Sequence, residues 1–408
     1  MLKILYAGSP APAATTLRLL LEKCSQGQNA AASGGCSQGQ NAAASGGCSQ
    51  DQKGGANQDG SQGQNAANEN GSQDQKGGGW QIAGVLTNPP SAKGRHKELV
   101  PTDVGLLAQE RGIPVFCPQK LDAAARDQIA AQGFDALVCF AYGKIFGPKF
   151  LSLFKEGGVN VHPSLLPKYR GATPVPAAIL NCDGQTGVTV QTLALGMDEG
   201  EILAQEVIAL DGSETTDSLL DKSAKIAAAL LQSLLDKAAQ NPGAEILKKG
   251  KAQEGEPSYT KTISKENALI DWNDSAKNIA AAVRAYTSEP GSWTRIGGDG
   301  GETLKILKAA PLGQECSQDG QTAGANQNGL QAQNAAPSSQ SGVSALSAPS
   351  GQPTVPGTVA AFDKKRGILV QCGDGLLCVT ELQRQQKKSM GYKDFMNGAR
   401  DFVGTRLG

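Results

Sequence analysis

Large apolar side chains recur along most of this chain and vanish twice. Leu2-Lys3-Ile4-Leu5-Tyr6 predicts a first strand. The Gly8-Ser9-Pro10 turn hands it to a helix near 13–23, with Leu17, Leu20 and Leu21 on one face. Pattern then stops until Trp80, where Gln81-Ile82-Ala83-Gly84-Val85-Leu86-Thr87 predicts a second strand. Next come a helix at 103–111, a short strand at Val115-Phe116, a helix near 122–132 and a strand at Ala136–Phe140. A helix around 148–154 and a strand ending in Asn160 follow. Strands alternating with helices predict right-handed βαβ units and a mostly parallel sheet. Such sheets bind ligands beyond the carboxyl ends of their strands.

A long helix over 216–239 closes this first unit, residues 1–240. A linker over 241–257 carries Asn241-Pro242-Gly243 and Glu256-Pro257. Residues 258–408 then predict one helix at 275–285 and several short strands, at 293–296, 304–307, 357–359, 368–370 and 376–379. Short strands between turns suit a small β-barrel. The α/β class therefore covers a sheet unit followed by a barrel.

Two stretches fit neither unit. Residues 24–79 contain no Val, Ile, Leu, Met, Phe, Trp or Tyr, and Cys-Ser-Gln-Gly-Gln-Asn-Ala-Ala-Ala-Ser-Gly-Gly occurs twice, at 24–35 and 36–47. Residues 315–352 have only Leu330, Val343 and Leu346 as large apolar groups. Neither stretch can bury enough surface to offset chain entropy, so both are expected to be disordered insertions. A solenoid built on the 12-residue period fails because no repeat offers an apolar face. The first insertion sits in a helix-to-strand loop, where added length is thermodynamically cheap.

Charge changes little: Lys plus Arg and Asp plus Glu are both 38. Balance excludes a histone-like or polyacidic chain but says nothing of local patches. The nine Cys form no CxxC pair, which argues against a zinc site and a disulfide framework. No metal is expected. Neither a signal peptide nor an apolar span of membrane length is evident, so a cytoplasmic chain without a membrane partner is expected. Gly8-Ser9-Pro10-Ala11-Pro12 is no dinucleotide fingerprint, and no phosphate-cradling Walker loop occurs.

The chemistry concentrates at Asn160-Val161-His162-Pro163-Ser164-Leu165-Leu166-Pro167. Residues two apart on a strand project to one side, so Asn160 and His162 face one volume at a strand end. Thirty-six residues after His162, Asp198 lies in Leu195-Gly196-Met197-Asp198-Glu199-Gly200 between two apolar stretches. An amide, an imidazole and a carboxylate suffice to move an acyl unit between nitrogens without a covalent enzyme intermediate. Asn160 and His162 can donate to the oxyanion of a tetrahedral carbon. Asp198 can take the attacking amine's proton or hold His162 in a productive state. A carboxylate near His162 favours imidazolium. Alone, each of these residues has a blander reading as a turn former, a packed His or a turn acid. Leu165 and Leu166, between Ser164 and Pro167, suit a wall for a flat heteroaromatic ring, and Tyr142-Gly143 ends a neighbouring strand. Lys93, Arg95 and Lys97, with Gly94 and His96, form a basic loop suited to phosphates. Residues 357–408 add nine basic against five acidic side chains, suiting nucleic acid on the barrel.

At these strings the chain resembles the methionyl-tRNA formyltransferases. Tyr6–Pro10, Asn88-Pro89-Pro90 with the basic loop, Ala141-Tyr142-Gly143, Asn160–Ala172, Thr186–Thr189, Leu195–Gly200, Ile270-Asp271-Trp272 and the Pro290–Trp293 turn carry the likeness. It covers nearly everything outside the insertions, although Pro12 stands where an aromatic is usual. The resemblance implies a Rossmann-like catalytic domain of the formyltransferase fold, an oligonucleotide-binding-like C-terminal β-barrel, and formyl transfer from 10-formyltetrahydrofolate to the amine of methionyl-initiator tRNA, supporting translation initiation. It further implies Asn160, His162 and Asp198 as catalytic, and Ser164, Leu165, Leu166, Pro167, Tyr142 and Gly143 as folate contacts. Lys93, Arg95 and Lys97 match a loop that enters the acceptor end of the tRNA. Two other readings compete: the same folate chemistry on a small amine such as glycinamide ribonucleotide, and a non-enzymatic RNA-binding protein.

Overall fold

The computed structural model describes residues 1–33, 79–93, 98–287, 289–313, 355–399 and 401–408. Its first unit contains β1 (Leu2–Gly8), α1 (Ala11–Ser33), β2 (Trp80–Leu86), β3 (Ser91–Lys93), β4 (Glu98–Val100), α2 (Asp103–Glu110), β5 (Val115–Phe116) and α3 (Ala123–Ala130). It continues through β6 (Ala136–Phe140), α4 (Pro148–Leu151), β7 (Gly158–His162), β8 (Arg170–Gly171), α5 (Pro174–Leu180), β9 (Gln185–Thr192), β10 (Ile202–Ala209) and α6 (Thr216–Gln240).

Seven strands form one sheet in the order β10-β9-β7-β6-β1-β2-β5. From β7 to β5 every pairing is parallel, whereas β9 and β10 add an antiparallel edge. The pleat sorts side chains by parity. Ile4, Tyr6, Val138, Val159 and Val161 join Leu17, Leu231 and Leu235 on one face. Leu5, Ala7, Leu137 and Cys139 join Phe116, Phe134, Phe146, Phe150 and Phe154 on the other. Each fully buried large aliphatic contributes about 1.5–3 kcal/mol. The capping box of Thr215 and Ser218 starts α6, and Thr16 Oγ1 of α1 donates to the Ala224 carbonyl of α6 at 2.9 Å.

Two boundary differences bear on the first insertion and on the site. α1 runs on to Ser33, into the stretch expected to be disordered, because Gln and Ala are adequate helix formers. Residues 34–78 of that insertion, and all of 315–352, lie outside the described residues. β7 extends past Asn160 to His162, since the antiparallel edge supplies Thr189 as a partner opposite His162.

The second unit contains β11 (Tyr259–Thr260), α7 (Ala276–Ala285), β12 (Trp293–Ile296), β13 (Glu302–Pro311), β14 (Val359–Asp363), β15 (Gly367–Gln371), β16 (Leu376–Arg384), β17 (Met390–Gly391) and α8 (Tyr392–Gly398). Its curled antiparallel sheet runs β12-β13-β16-β15-β14, with β17 on β16. Bridges Ile296–Leu407 and Thr358–Arg406 let the terminal residues join the β12 and β14 edges. β11 pairs in parallel with β8, so the second unit touches the segment that follows β7.

Candidate active site

β7 places Asn160 and His162 at the carboxyl end of the parallel sheet, between Cys139 of β6 and Gln191 and Thr189 of β9. Asp198 arrives from the β9–β10 connection. Its backbone is in the left-handed region, φ 53°. The three side chains meet: Asn160 Nδ2 lies 3.4 Å from Asp198 Oδ1, and His162 Nδ1 lies 3.5 Å from Asp198 Oδ2. The long Asn160 contact leaves amide donor capacity free for another acceptor.

Asp198 is fixed by shorter bonds. Gln191 Nε2 donates to Oδ1 at 2.9 Å, and the Gly171 N–H donates to Oδ2 at 2.8 Å. Gln191 Oε1 in turn accepts from the Gly200 N–H at 3.1 Å. Gln253 reaches in from the linker, its Nε2 donating at 2.8 Å to the carbonyls of both Asp198 and Gly200. Gln253 Oε1 accepts from Arg170 Nε at 3.2 Å and Nη2 at 2.8 Å. Arg170 Nη1 also donates to Glu199 and to Tyr259 Oη.

His162 is 4% exposed, and burial draws its pKa below the ordinary 6.5. Asp198 and the Tyr169 carbonyl push the other way without reversing it. The carboxylate does favour imidazolium as expected, but desolvation outweighs it, so the resting imidazole is neutral. His162 Nε2 lies 2.8 Å from the Tyr169 carbonyl, which only accepts, so the proton sits on Nε2. Nδ1 is left facing Asp198.

The other expected contacts divide. Ser164 is fully buried, its Oγ donating to the Lys168 carbonyl at 2.6 Å, and Leu166 is 4% exposed. Leu165 and Pro167 are half-buried and retain surface. The Tyr142 ring is buried and stacks on Phe146 at 5.4 Å, away from solvent, while its carbonyl accepts from Asn88 Nδ2 at 2.8 Å. Gly143 has open space where a Cβ would stand. Leu195 and Met197 are exposed apolar groups beside Asp198. Lys93 ends β3, and Arg95 and Lys97 lie outside the described residues. Among the described residues no group of three His, Cys, Asp or Glu could hold a metal ion.

Gln191 and Gln253 escaped the sequence reading, and Tyr169 and Gly171 entered it only within the Asn160–Ala172 string, without a role. Gln191 carried one signal, a polar side chain at the end of an apolar strand; the other three act through backbone or tertiary contacts that no local pattern marks. A separate cleft of about 1090 Å³, lined by Cys182, Asp183, Arg284, Lys308 and Tyr392 among others, contains none of the trio.

Residues 58–235 match the family model for formyl transferase, and residues 262–400 match that for the formyl transferase C-terminal domain. A parallel sheet ending in an amide, an imidazole and a carboxylate, followed by this second domain, defines a formyltransferase. The methionyl-tRNA formyltransferase of Treponema denticola is 39% identical over 333 residues, 79% of this chain and 91% of that protein. That of Treponema pallidum strain Nichols is 38% identical over 342 residues, 80% of this chain and 92% of that protein. The solved methionyl-tRNA formyltransferase from Clostridium thermocellum is 18% identical, with a TM-score of 0.40 over 50% of this chain and 85% of that one. The chain belongs to the methionyl-tRNA formyltransferase family.

Proposed function

We propose that this chain transfers the formyl group of 10-formyltetrahydrofolate to the free amino group of methionyl-initiator tRNA. The convergence of Asn160, His162 and Asp198 at the mouth of the sheet carries this reading. The folate co-substrate supplies an activated formyl group on nitrogen. Leu165, Pro167, Leu195 and Met197 offer it apolar surface, while Ser164 and Leu166 are buried in the same segment. The amide of Asn160 donates toward negative charge on the reacting carbonyl oxygen. Neutral His162 has its free valence at Nδ1. Asp198, 3.5 Å from that Nδ1, takes the proton the attacking amine gives up, directly or through His162, and the proton passes to the folate nitrogen as its bond to the formyl carbon breaks.

Residues 1–240 act as the catalytic unit, 241–257 as the linker and 258–408 as the tRNA-binding unit, aided by Lys93, Arg95 and Lys97. The reaction belongs in the cytoplasm, where charged tRNA and folate meet. Among the described residues no helix is long and apolar enough to cross a membrane.

The test is labelled 10-formyltetrahydrofolate with charged initiator tRNA, set against free methionine and glycinamide ribonucleotide. Label should enter the charged tRNA, and His162→Ala should slow it by about 10²-fold or more. Transfer only to the ribonucleotide would favour the small-amine reading. Undiminished transfer by His162→Ala would remove that residue from the mechanism.

A further inference from the structure

Gln253 belongs to the segment that joins the two units, and nothing in its own sequence context suggests more than a connector. The structure gives it every hydrogen bond a carboxamide can make. Its two amide hydrogens meet the carbonyls of Asp198 and Gly200, and Nε2 also lies 3.3 Å from Gln191 Oε1. Its oxygen is held by two nitrogens of Arg170, and Arg170 is held by Tyr259 of the second unit.

The two carbonyls belong to Asp198 itself, whose backbone is left-handed, and to Gly200 two residues on, so one side chain fixes both ends of this turn. Both point to the same donor. Gln253 therefore pins the turn from its backbone side, while Gln191 and the Gly171 N–H orient the carboxylate from the other. Gly171 pairs with Thr260 in the β8–β11 ladder, so both sets of restraints lead back to the linker and the second unit.

We infer that Gln253 is a positioning residue of the transfer reaction: it sets the Asp198 carboxylate against His162 and makes that setting depend on the docked linker. The inference rests on the reading of Asp198 as the group that handles the proton. Only a side chain with donor and acceptor at one tip can serve both sides. A carboxylate in its place would still bind Arg170, yet would set negative charge against two carbonyl oxygens.

The test uses the full chain with Gln253→Ala and Gln253→Glu. Steady-state transfer to charged initiator tRNA should show kcat lowered about tenfold or more in Gln253→Ala. The KM values for tRNA and folate should stay within about twofold. Gln253→Glu should be slow throughout about pH 6–8, where the introduced carboxyl is ionised and cannot donate to the two carbonyls. The chain has two His, so the His162 resonance can be followed without substrate, and its titration should move in Gln253→Ala. An inactive parent chain would sink the formyl-transfer reading itself. With an active parent, a wild-type kcat in Gln253→Ala, or an unmoved His162 titration, would overturn the role of Gln253 alone. A rise in KM at unchanged kcat would overturn it too, placing Gln253 in substrate binding. Should Gln253→Ala fail to fold, a wild-type kcat in Gln253→Glu would overturn it equally.

Discussion

Asp198 is the residue on which most local restraints converge. Its carboxylate accepts from Gln191 and Gly171, and its carbonyl accepts from Gln253. Replacement by Asn keeps the shape but removes the negative charge and the proton acceptor. Asp198→Asn should lower kcat by about 10²-fold or more. Because Asp198 raises the His162 pKa against burial, the same variant should lower the His162 midpoint further, which a nuclear magnetic resonance titration would read. An unmoved midpoint would mean that the 3.5 Å approach carries no electrostatic coupling. His162 also ties stability to pH. Its folded pKa lies below the 6.5 of the unfolded chain, so below that value the unfolded state binds more protons. The stabilisation is fully present above pH 6.5 and is lost as pH falls through the depressed folded value. His162→Gln should flatten this dependence, and urea midpoints at about pH 7.5 and about pH 5.5 would show it.

The β9–β10 connection shows what an element adds to single residues. Gly200 leaves no room for a Cβ, which would overlap the Thr192 carbonyl oxygen. Gly200→Ala should force the connection open, costing about 1–3 kcal/mol of stability and lowering kcat with it. Denaturant unfolding and turnover measured on one preparation would show whether both losses occur. Elements with long apolar runs were legible from the sequence: β6, β7 and α6 emerge within a few residues of their expected bounds. β8 and β11 were not, because two-residue strands exist only through each other. β9 misleads in another way. Its alternation puts Val188 and Val190 in the core, which suggests that Thr189 and Gln191 face water. They are 0% and 2% exposed, because the residues after β7 cover that face: the Ser164 carbonyl accepts from Thr189 Oγ1 at 2.7 Å. Asn160, His162 and Asp198 were legible as residue types in a distinctive string. Their supports were not, since Gly171 contributes only backbone and Gln253 comes from a linker.

Across the whole molecule, the boundary between catalytic unit and barrel is blurred at the site. Ser258 Oγ accepts from the Tyr169 N–H at 2.8 Å, and Tyr259 and Thr260 pair with Arg170 and Gly171. Tyr169 supplies the carbonyl facing His162, and Gly171 the N–H facing Asp198. Removing 258–408 thus strips supports from the catalytic groups along with the proposed tRNA reader. It also exposes the apolar contact of Leu180 with Trp293 and Tyr286. Two truncated chains separate these effects, one ending at residue 257 and one at 263. Both should lose formylation of charged initiator tRNA. The longer chain, which keeps β11, should retain more formyl transfer to a small amine at high concentration. Circular dichroism would first establish that both chains are folded. Equal small-amine rates in two folded chains would mean that β11 does not support the catalytic groups. Full tRNA formylation by either would mean that the barrel does not read the tRNA.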